Sequence, residues 1–453
     1  MSSESAHTET MQQMAARLGR RDLDAFWMPF TGNRAFKDDP RLIVGADGVH
    51  YQSADGRRIL DSLSGLWCSG YGHNRSEIAD AVNRQLRELD YSPGFQFGQP
   101  LAFELANRIA AMTPAGLDHV FFTDSGSEAA DTSLKIARAY WRIRGQPGKT
   151  KLIGRAKGYH GVNFGGTSLG GIGPNRKMFG QLVDCDHLSH TLLKDNAFSR
   201  GMPQSGAELA DELEELVALH DASNIAAVIV EPFAGSAGVV VPPQGYLQRL
   251  RKICDKHDIL LIFDEVITAF GRAGAAFGAD AFGVTPDMMN MAKGITNGAV
   301  PMGAVVASAQ IYDTFMSQDL PEYAPELLHG YTYSAHPVAC AAGLAAMDVF
   351  ANDRIAERAA TLAPYFEECV HGLKGLANIV DIRNFGLAAA IQLAPLNGDP
   401  GLRPYRVSME CWKRGLYLRF GGDTLQLGPP MVCEREHIDE ICNILADVIP
   451  SIA

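Results

Sequence analysis

The middle of the chain alternates between two hydrophobic periods. Leu209, Leu213, Leu216 and Val217 recur at helical spacing and predict one face of a helix. Ala226 to Val230 is then a short, uniformly apolar run. Leu247, Leu250, Ile253 and Cys254 predict a second helix, followed by a second apolar run from Ile259 to Phe263. Runs that are apolar on both faces suit strands buried between two layers of helices. Helix, strand, helix, strand therefore predicts an α/β domain with a mostly parallel sheet. Upstream, Val49-His50-Tyr51 and Ile59-Leu60-Asp61 flank Asp55-Gly56 and predict two strands joined through a turn. After about His336 the texture changes. Helical stretches rich in Ala and Leu (338–350 and 354–374) precede alternating segments near 379–392 and 416–428, which predicts a smaller α+β unit. Residues 1–25 predict an amphipathic arm or helix, and the chain carries no internal repeat or long linker.

The chain has 453 residues, 46% of them hydrophobic, enough for two cores. Its formal net charge of −12 argues against a nucleic-acid surface or an anionic membrane as the main partner. The eight cysteines are scattered without a CxxC pair, so no zinc site or disulfide framework is expected. Met1 to Arg21 lacks the apolar core of a signal peptide, and no apolar run approaches a membrane span. The expected location is the cytoplasm.

Three runs that read as buried strands each end on a polar residue. Val228-Ile229-Val230 leads to Glu231, Leu261-Ile262-Phe263 to Asp264, and Met289-Asn290-Met291-Ala292 to Lys293. In an open parallel sheet ligands bind at the carboxyl ends of strands, so an acid, an acid and a lysine are expected to converge there. Any one of them alone reads as a solvated charge at a strand end. A fourth piece is Val120-Phe121-Phe122-Thr123, a Gly/Ser turn from Asp124 to Glu128, and a long helix from about Ala129. The free N–H groups at the start of such a helix suit a phosphate, though Ser125 or Ser127 could equally be a plain helix cap. Other glycine-rich stretches fail: Ile143 stands where a P-loop needs its first Gly, and Arg176 where a dinucleotide fingerprint needs its last. A phosphate cup, a strand-end acid and a strand-end lysine together suit pyridoxal 5′-phosphate (PLP). That cofactor needs a lysine for attachment, an acid beside its ring nitrogen and an anchor for its phosphate.

The run Leu260-Leu261-Ile262-Phe263-Asp264-Glu265-Val266-Ile267-Thr268-Ala269-Phe270-Gly271-Arg272, followed by Ala292-Lys293-Gly294, resembles the signature of class III PLP-dependent aminotransferases. The resemblance runs nearly end to end, through Phe122 to Glu128, Gly158-Tyr159-His160-Gly161 and His329 to Ser334. Phe26 to Thr31, Leu63 to Cys68 and Arg419 to Gln426 resemble the ω-amino-acid transaminases that act on β-alanine and pyruvate.

This resemblance implies an α/β, fold type I PLP-dependent transferase. It divides the chain into an N-terminal segment (1–68) belonging to the small domain, a large PLP-binding domain (69–335) and a C-terminal small domain (336–453). It implies a homodimer at least, with a homotetramer expected, and an active site at a subunit interface. Lys293 and Asp264 are the implied catalytic residues, Lys293 carrying the cofactor and Asp264 facing its ring nitrogen. Gly126 and Ser127 are expected at the phosphate, Thr332 at the phosphate of the neighbouring subunit's cofactor, and Tyr159 and Val266 on the two ring faces. Glu231 is expected to orient groups nearby. Trp67, Arg419 and Gln426 are expected at the substrate, while His160 is expected to be a packed, hydrogen-bonded histidine without a catalytic part. Asp124, where the family often has Asn, is expected to point away from the phosphate. No metal is implied. The implied reaction moves an amino group from β-alanine or another ω-amine to pyruvate. The alternatives are another ω-amine such as 4-aminobutyrate or a diamine, or a non-catalytic metabolite-binding protein.

Overall fold

The computed structural model describes residues 9–452. In chain order the strands are β1 (Ile43–Asp47), β2 (His50–Ser53), β3 (Arg58–Asp61), β4 (Leu117–Thr123), β5 (Lys151–Arg155), β6 (Cys185–Leu188), β7 (Ile225–Val230) and β8 (Leu260–Asp264). They continue as β9 (Met288–Met291), β10 (Gly303–Ser308), β11 (Ile379–Phe385), β12 (Ala388–Leu393), β13 (Leu416–Tyr417), β14 (Arg419–Gly421) and β15 (Thr424–Leu427).

The central sheet has the order β4-β10-β9-β8-β7-β5-β6. Its pairs are parallel from β9 through β6, and only β10 runs antiparallel to its two neighbours. The mostly parallel sheet expected from the apolar runs is therefore present. Its central strands β7 and β8 are buried along their whole length because both faces are covered. Val228, Val230, Leu261, Phe263, Met289 and Met291 enter one core. Ala227, Ile229, Ile262, Met288 and Val305 enter another, which includes Ala129, Ile136, Ala137 and Tyr140 of the helix Gly126–Ile143.

Two smaller sheets flank this layer. One joins β1, β2 and β3 to β13, with Leu60 and Tyr417 held through the parallel pairs Leu416↔Leu60 and Tyr417↔Asp61. The N-terminal segment thus shares a sheet with a strand more than three hundred residues away, a pairing that no local pattern announces. The other sheet, β11-β12-β15-β14, is antiparallel. The expected helices appear as Pro337–Asn352 and Ile355–His371. The expected N-terminal arm contains the short helix Met11–Arg17, which buries none of its residues; residues 1–8 of that arm lie outside the described residues.

One glycine in the central sheet shows how tightly helix and sheet meet. A Cβ on Gly154, in β5, would lie 2.1 Å from the Leu169 carbonyl oxygen, at the end of the helix Phe164–Leu169. That oxygen is backbone and cannot turn aside. Gly154→Ala should destabilise the protein by about 1–3 kcal/mol or more. Gly173→Ala, where a Cβ meets nothing within 4 Å, should be neutral or stabilising. Thermal denaturation of the two variants beside the parent checks the contrast.

Candidate active site

The parallel register brings the ends of three strands together. Val230 pairs with Phe263 and Asp264 with Asn290, so the residues that follow β7 and β9 flank the last residue of β8. Glu231, Asp264 and Lys293 accordingly line one cavity of about 160 Å³, with Gly126, Ser127, Tyr159 and Val266. All seven residues expected from the sequence to meet a cofactor within one chain are in this lining. Gly161, Ile267 and Ala292 complete it.

The helix Gly126–Ile143 starts three residues earlier than its hydrophobic pattern suggests. Ser125 caps it, its hydroxyl accepting from the Glu128 N–H at 3.2 Å. Gly126 and Ser127 therefore occupy the first turn, where N–H groups lack helical partners and the dipole favours an anion. The Ser127 hydroxyl accepts from the Val162 N–H at 3.1 Å. Gly161 turns at φ 89°, and a Cβ there would lie 2.4 Å from the Ser127 hydroxyl oxygen. Only glycine fits this close approach, a constraint that the quoted Gly158-Tyr159-His160-Gly161 run already hinted at. Asp124 is not in the lining. Its N–H donates to the Glu128 carboxylate at 2.7 Å, and burial beside Glu128 pushes its own carboxyl up to about 6.

The acids are held differently. Asp264 accepts from His160 Nδ1 at 2.8 Å and from the Val266 N–H at 3.2 Å. His160, read from sequence as packing, thus touches the carboxylate that lines the cavity. Its distance of 104 residues in the chain hides the contact. Glu231 accepts from the N–H groups of Tyr159 and Gly235, at 2.9 and 3.1 Å. Burial pushes its carboxyl up to about 7, with the neighbouring Asp264 adding to the shift and His160 opposing it. The Lys293 side-chain amine makes no hydrogen bond or ion pair with any described residue. Burial lowers the pKa of its ammonium below the ordinary lysine value; Asp264 and Glu231 oppose that shift and Arg419 adds to it.

The remaining expected residues are outside this lining. Arg419, in β14, is half-buried, and no described residue forms a hydrogen bond or ion pair with its guanidinium. Its positive charge is felt by Lys293, Tyr159 and Tyr417. Gln426 pairs with Arg419 across β14 and β15, but it is fully buried and its amide donates to the Ser236 carbonyl at 2.9 Å. Trp67 is 4% exposed. Its ring packs on Gly428, where a Cβ would lie 2.2 Å away, and the Arg272 guanidinium sits 5.5 Å from its centroid. Thr332 is exposed and does not line its own chain's cavity. Its loop is tied down by the Tyr91 hydroxyl on the Thr332 carbonyl at 3.0 Å and by the Ser334 hydroxyl on the Phe122 carbonyl at 2.8 Å.

A sequence model of the aminotransferase class-III family matches residues 33–449. The chain is 64% identical to a beta-alanine–pyruvate aminotransferase of Pseudomonas aeruginosa over 433 residues, 95% of this chain and 97% of the relative. It is 61% identical to an omega-amino acid–pyruvate aminotransferase of Pseudomonas putida, over 94% of this chain and 96% of the relative. Among solved structures, an (S)-enantioselective omega-transaminase from Thermomicrobium roseum superposes with a TM-score of 0.90 at 34% identity, covering 97% of this chain and 99% of that one. A PLP-bound amine transaminase from an uncultivated Pseudomonas species superposes with a TM-score of 0.88 at 35% identity, covering 94% and 99%. A lysine and two acids gathered at the strand ends, beside a helix start open to an anion, are thus found in a chain that belongs to the class III aminotransferases.

Proposed function

We propose that this aminotransferase uses PLP held on Lys293 to transfer the amino group of β-alanine, or of another ω-amino acid or amine, to pyruvate. The observation that carries the proposal is the single cavity lined by Lys293, Asp264 and the helix start at Gly126 and Ser127. The names of the P. aeruginosa and P. putida relatives support the choice of donor and acceptor. The residues suit the cofactor: an amine without a partner, a buried carboxylate, and N–H groups free to meet a phosphate.

When bound, PLP supplies a carbonyl carbon that takes up an amine and a conjugated ring that accepts electron density from the carbon losing a proton. Lys293 would tether the group and afterwards, as a free amine, take that proton and deliver it across the nitrogen to the cofactor carbon that had held the lysine. Its burial favours the neutral form this needs. Asp264 keeps the ring nitrogen protonated, and His160 holds the Asp264 carboxylate in place. Gly126 and Ser127 would hold the phosphate, and Tyr159 and Val266 would hold the ring. Glu231 fixes Tyr159 through its backbone. Trp67, Arg419 and Gln426 are proposed at the substrate, Gln426 pairing with Arg419 across β14 and β15.

Thr332 completes a second subunit's site, which makes the working unit a homodimer, itself paired into a tetramer. The exposure of Phe97, Phe164, Leu328 and Tyr333 supports a covered surface of this kind. No helix among the described residues is long and apolar enough to cross a membrane, and the proposed location is the cytoplasm.

Lys293→Ala should abolish covalent attachment of PLP and nearly all turnover while the protein still folds. Borohydride reduction of the parent followed by peptide mass spectrometry should place the cofactor on Lys293; a different lysine would refute the proposal.

Thr332→Ala should weaken PLP retention by about 1.5–3 kcal/mol, the worth of one charged hydrogen bond. Mixing Thr332→Ala chains with Lys293→Ala chains should restore retention above the mean of the two parents, because a hybrid joins an intact Lys293 to an intact Thr332. Retention equal to the mean would place Thr332 in its own chain's site.

Arg419 is proposed to clamp the carboxylate of the oxo acid and to swing outward for amines without one. The residue is half-buried, its guanidinium has no partner among the described residues, and its charge adds to the Lys293 shift. Removing a desolvated charge pair typically costs about 2–5 kcal/mol, so Arg419→Ala should lower kcat/KM for pyruvate by more than about tenfold. Single-turnover absorbance with an uncharged arylalkylamine should change far less. Equal losses in both half-reactions would show that Arg419 supports the fold instead.

A further inference from the structure

Lys293 sits in the left-handed region at φ 52°, which residues with a Cβ rarely adopt. The tight turn that it opens, Lys293–Thr296, is closed by a second left-handed residue, Asn297, at φ 53°. Within the turn the Gly298 N–H donates to the Lys293 carbonyl at 3.1 Å, and the Asn297 N–H to the Gly294 carbonyl at 3.0 Å. The Asn297 side chain is buried and uses both halves of its amide on one remote segment. Its Oδ1 accepts from the Tyr71 N–H at 2.8 Å, and its Nδ2 donates to the Gly72 carbonyl at 2.8 Å. Gly298 presses on the same segment so closely that a Cβ there would lie 2.9 Å from Cβ of Cys68.

We infer that Asn297 is a positioning residue for Lys293. By locking the 293–298 turn onto the 68–72 segment, it keeps Lys293 in its unfavourable backbone conformation and so aims the amine. The inference rests on the reading of Lys293 as the attachment and proton-transfer residue. Its physical basis is a lever. A rotation of about 20° at φ swings a lysine amine about 6 Å away through about 2 Å, and about 1 Å of misplacement can cost on the order of a hundredfold in rate.

Asparagine meets two requirements at once. Its short amide tolerates the left-handed backbone. The same amide presents one acceptor and one donor, matching the N–H of Tyr71 and the C=O of Gly72. Glycine meets only the first requirement. Aspartate keeps the backbone and the Tyr71 bond but sets a carboxylate oxygen against the Gly72 carbonyl.

The test compares the holoenzyme with Asn297→Gly, Asn297→Asp and a control, Asn378→Gly. Asn378 is also left-handed, at φ 73°, but its amide donates to the Ile449 carbonyl instead of to the lysine turn. Three quantities are read: the pH midpoint of the visible band of the lysine-held cofactor, the rate constant for bleaching of that band by saturating amine in a single turnover, and the thermal midpoint. Asn297→Gly should slow bleaching by about tenfold or more and shift the pH midpoint, with the half-saturating amine concentration within about threefold of the parent. Asn297→Asp should fall between, and Asn378→Gly should lower only the thermal midpoint. A bleaching rate within about twofold of the parent in Asn297→Gly, with an unmoved pH midpoint, overturns the inference whatever happens to stability. Should Asn297→Gly not fold, Asn297→Asp decides by the same two readouts. Borohydride labelling of the parent on a lysine other than Lys293 would refute the underlying reading separately, before any Asn297 variant is compared.

Discussion

The parallel register of β7, β8 and β9 forces the residues at three strand ends into one small volume, and the rest of the site answers to that constraint. Glu231, Asp264 and Lys293 cannot be solvated independently there. Burying a charge costs several kcal/mol unless neighbours compensate it. The cost is visible in the shifts: burial pushes the Glu231 carboxyl up to about 7 and lowers the pKa of the Lys293 ammonium. Asp264 is met by the His160 ring at 2.8 Å and by a backbone N–H. These groups are held in an electrostatically costly arrangement because the surrounding backbone leaves them no other.

A second tier of buried polar groups keeps the walls of the cavity in place. Arg272 shows the principle. It follows β8 by eight residues, is 2% exposed, and spends its guanidinium on the Leu387 carbonyl at 2.9 Å, the Pro429 carbonyl at 2.7 Å and the Ser64 hydroxyl at 2.8 Å. Among the described residues no carboxylate pairs with it directly, and burial lowers its pKa to about 10, with Cys433 and Asp61 opposing the shift. It ties the strand that carries Asp264 to the N-terminal loop of Trp67 and to the chain just beyond β15. Asp61 fixes the same loop from the other side, accepting from the N–H groups of Leu63 and Gly65 at 2.8 and 2.6 Å and from His73 at 2.8 Å. The loop needs such anchors, since Ser64 and Trp67 have φ values of 51° and 65°.

Much of this was legible in the residues. Uniform apolar runs identified β7 and β8 because a strand covered on both faces has no polar side to show. The polar residue ending each run identified Glu231, Asp264 and Lys293 because parallel strands open their carboxyl ends to ligands. The start of the helix Gly126–Ile143 was misjudged by three residues because its first turn is polar and carries no hydrophobic period; the Ser125 cap sets the boundary.

The sequence by itself determined the α/β class, the strand-end chemistry and the family, since these rest on local periods and on residue types at short spacing. Tertiary structure alone decided what depends on segments far apart in the chain meeting through specific bonds. It brought β3 beside β13, His160 onto Asp264, Arg272 under the Trp67 loop and Asn297 onto Tyr71 and Gly72. It also packed Trp67 against Gly428 and bonded the Gln426 amide to the Ser236 carbonyl. The physical reason is that a hydrophobic period reports which face of an element is buried but not which remote backbone group will satisfy a buried donor or acceptor. That choice is made only when the layers pack.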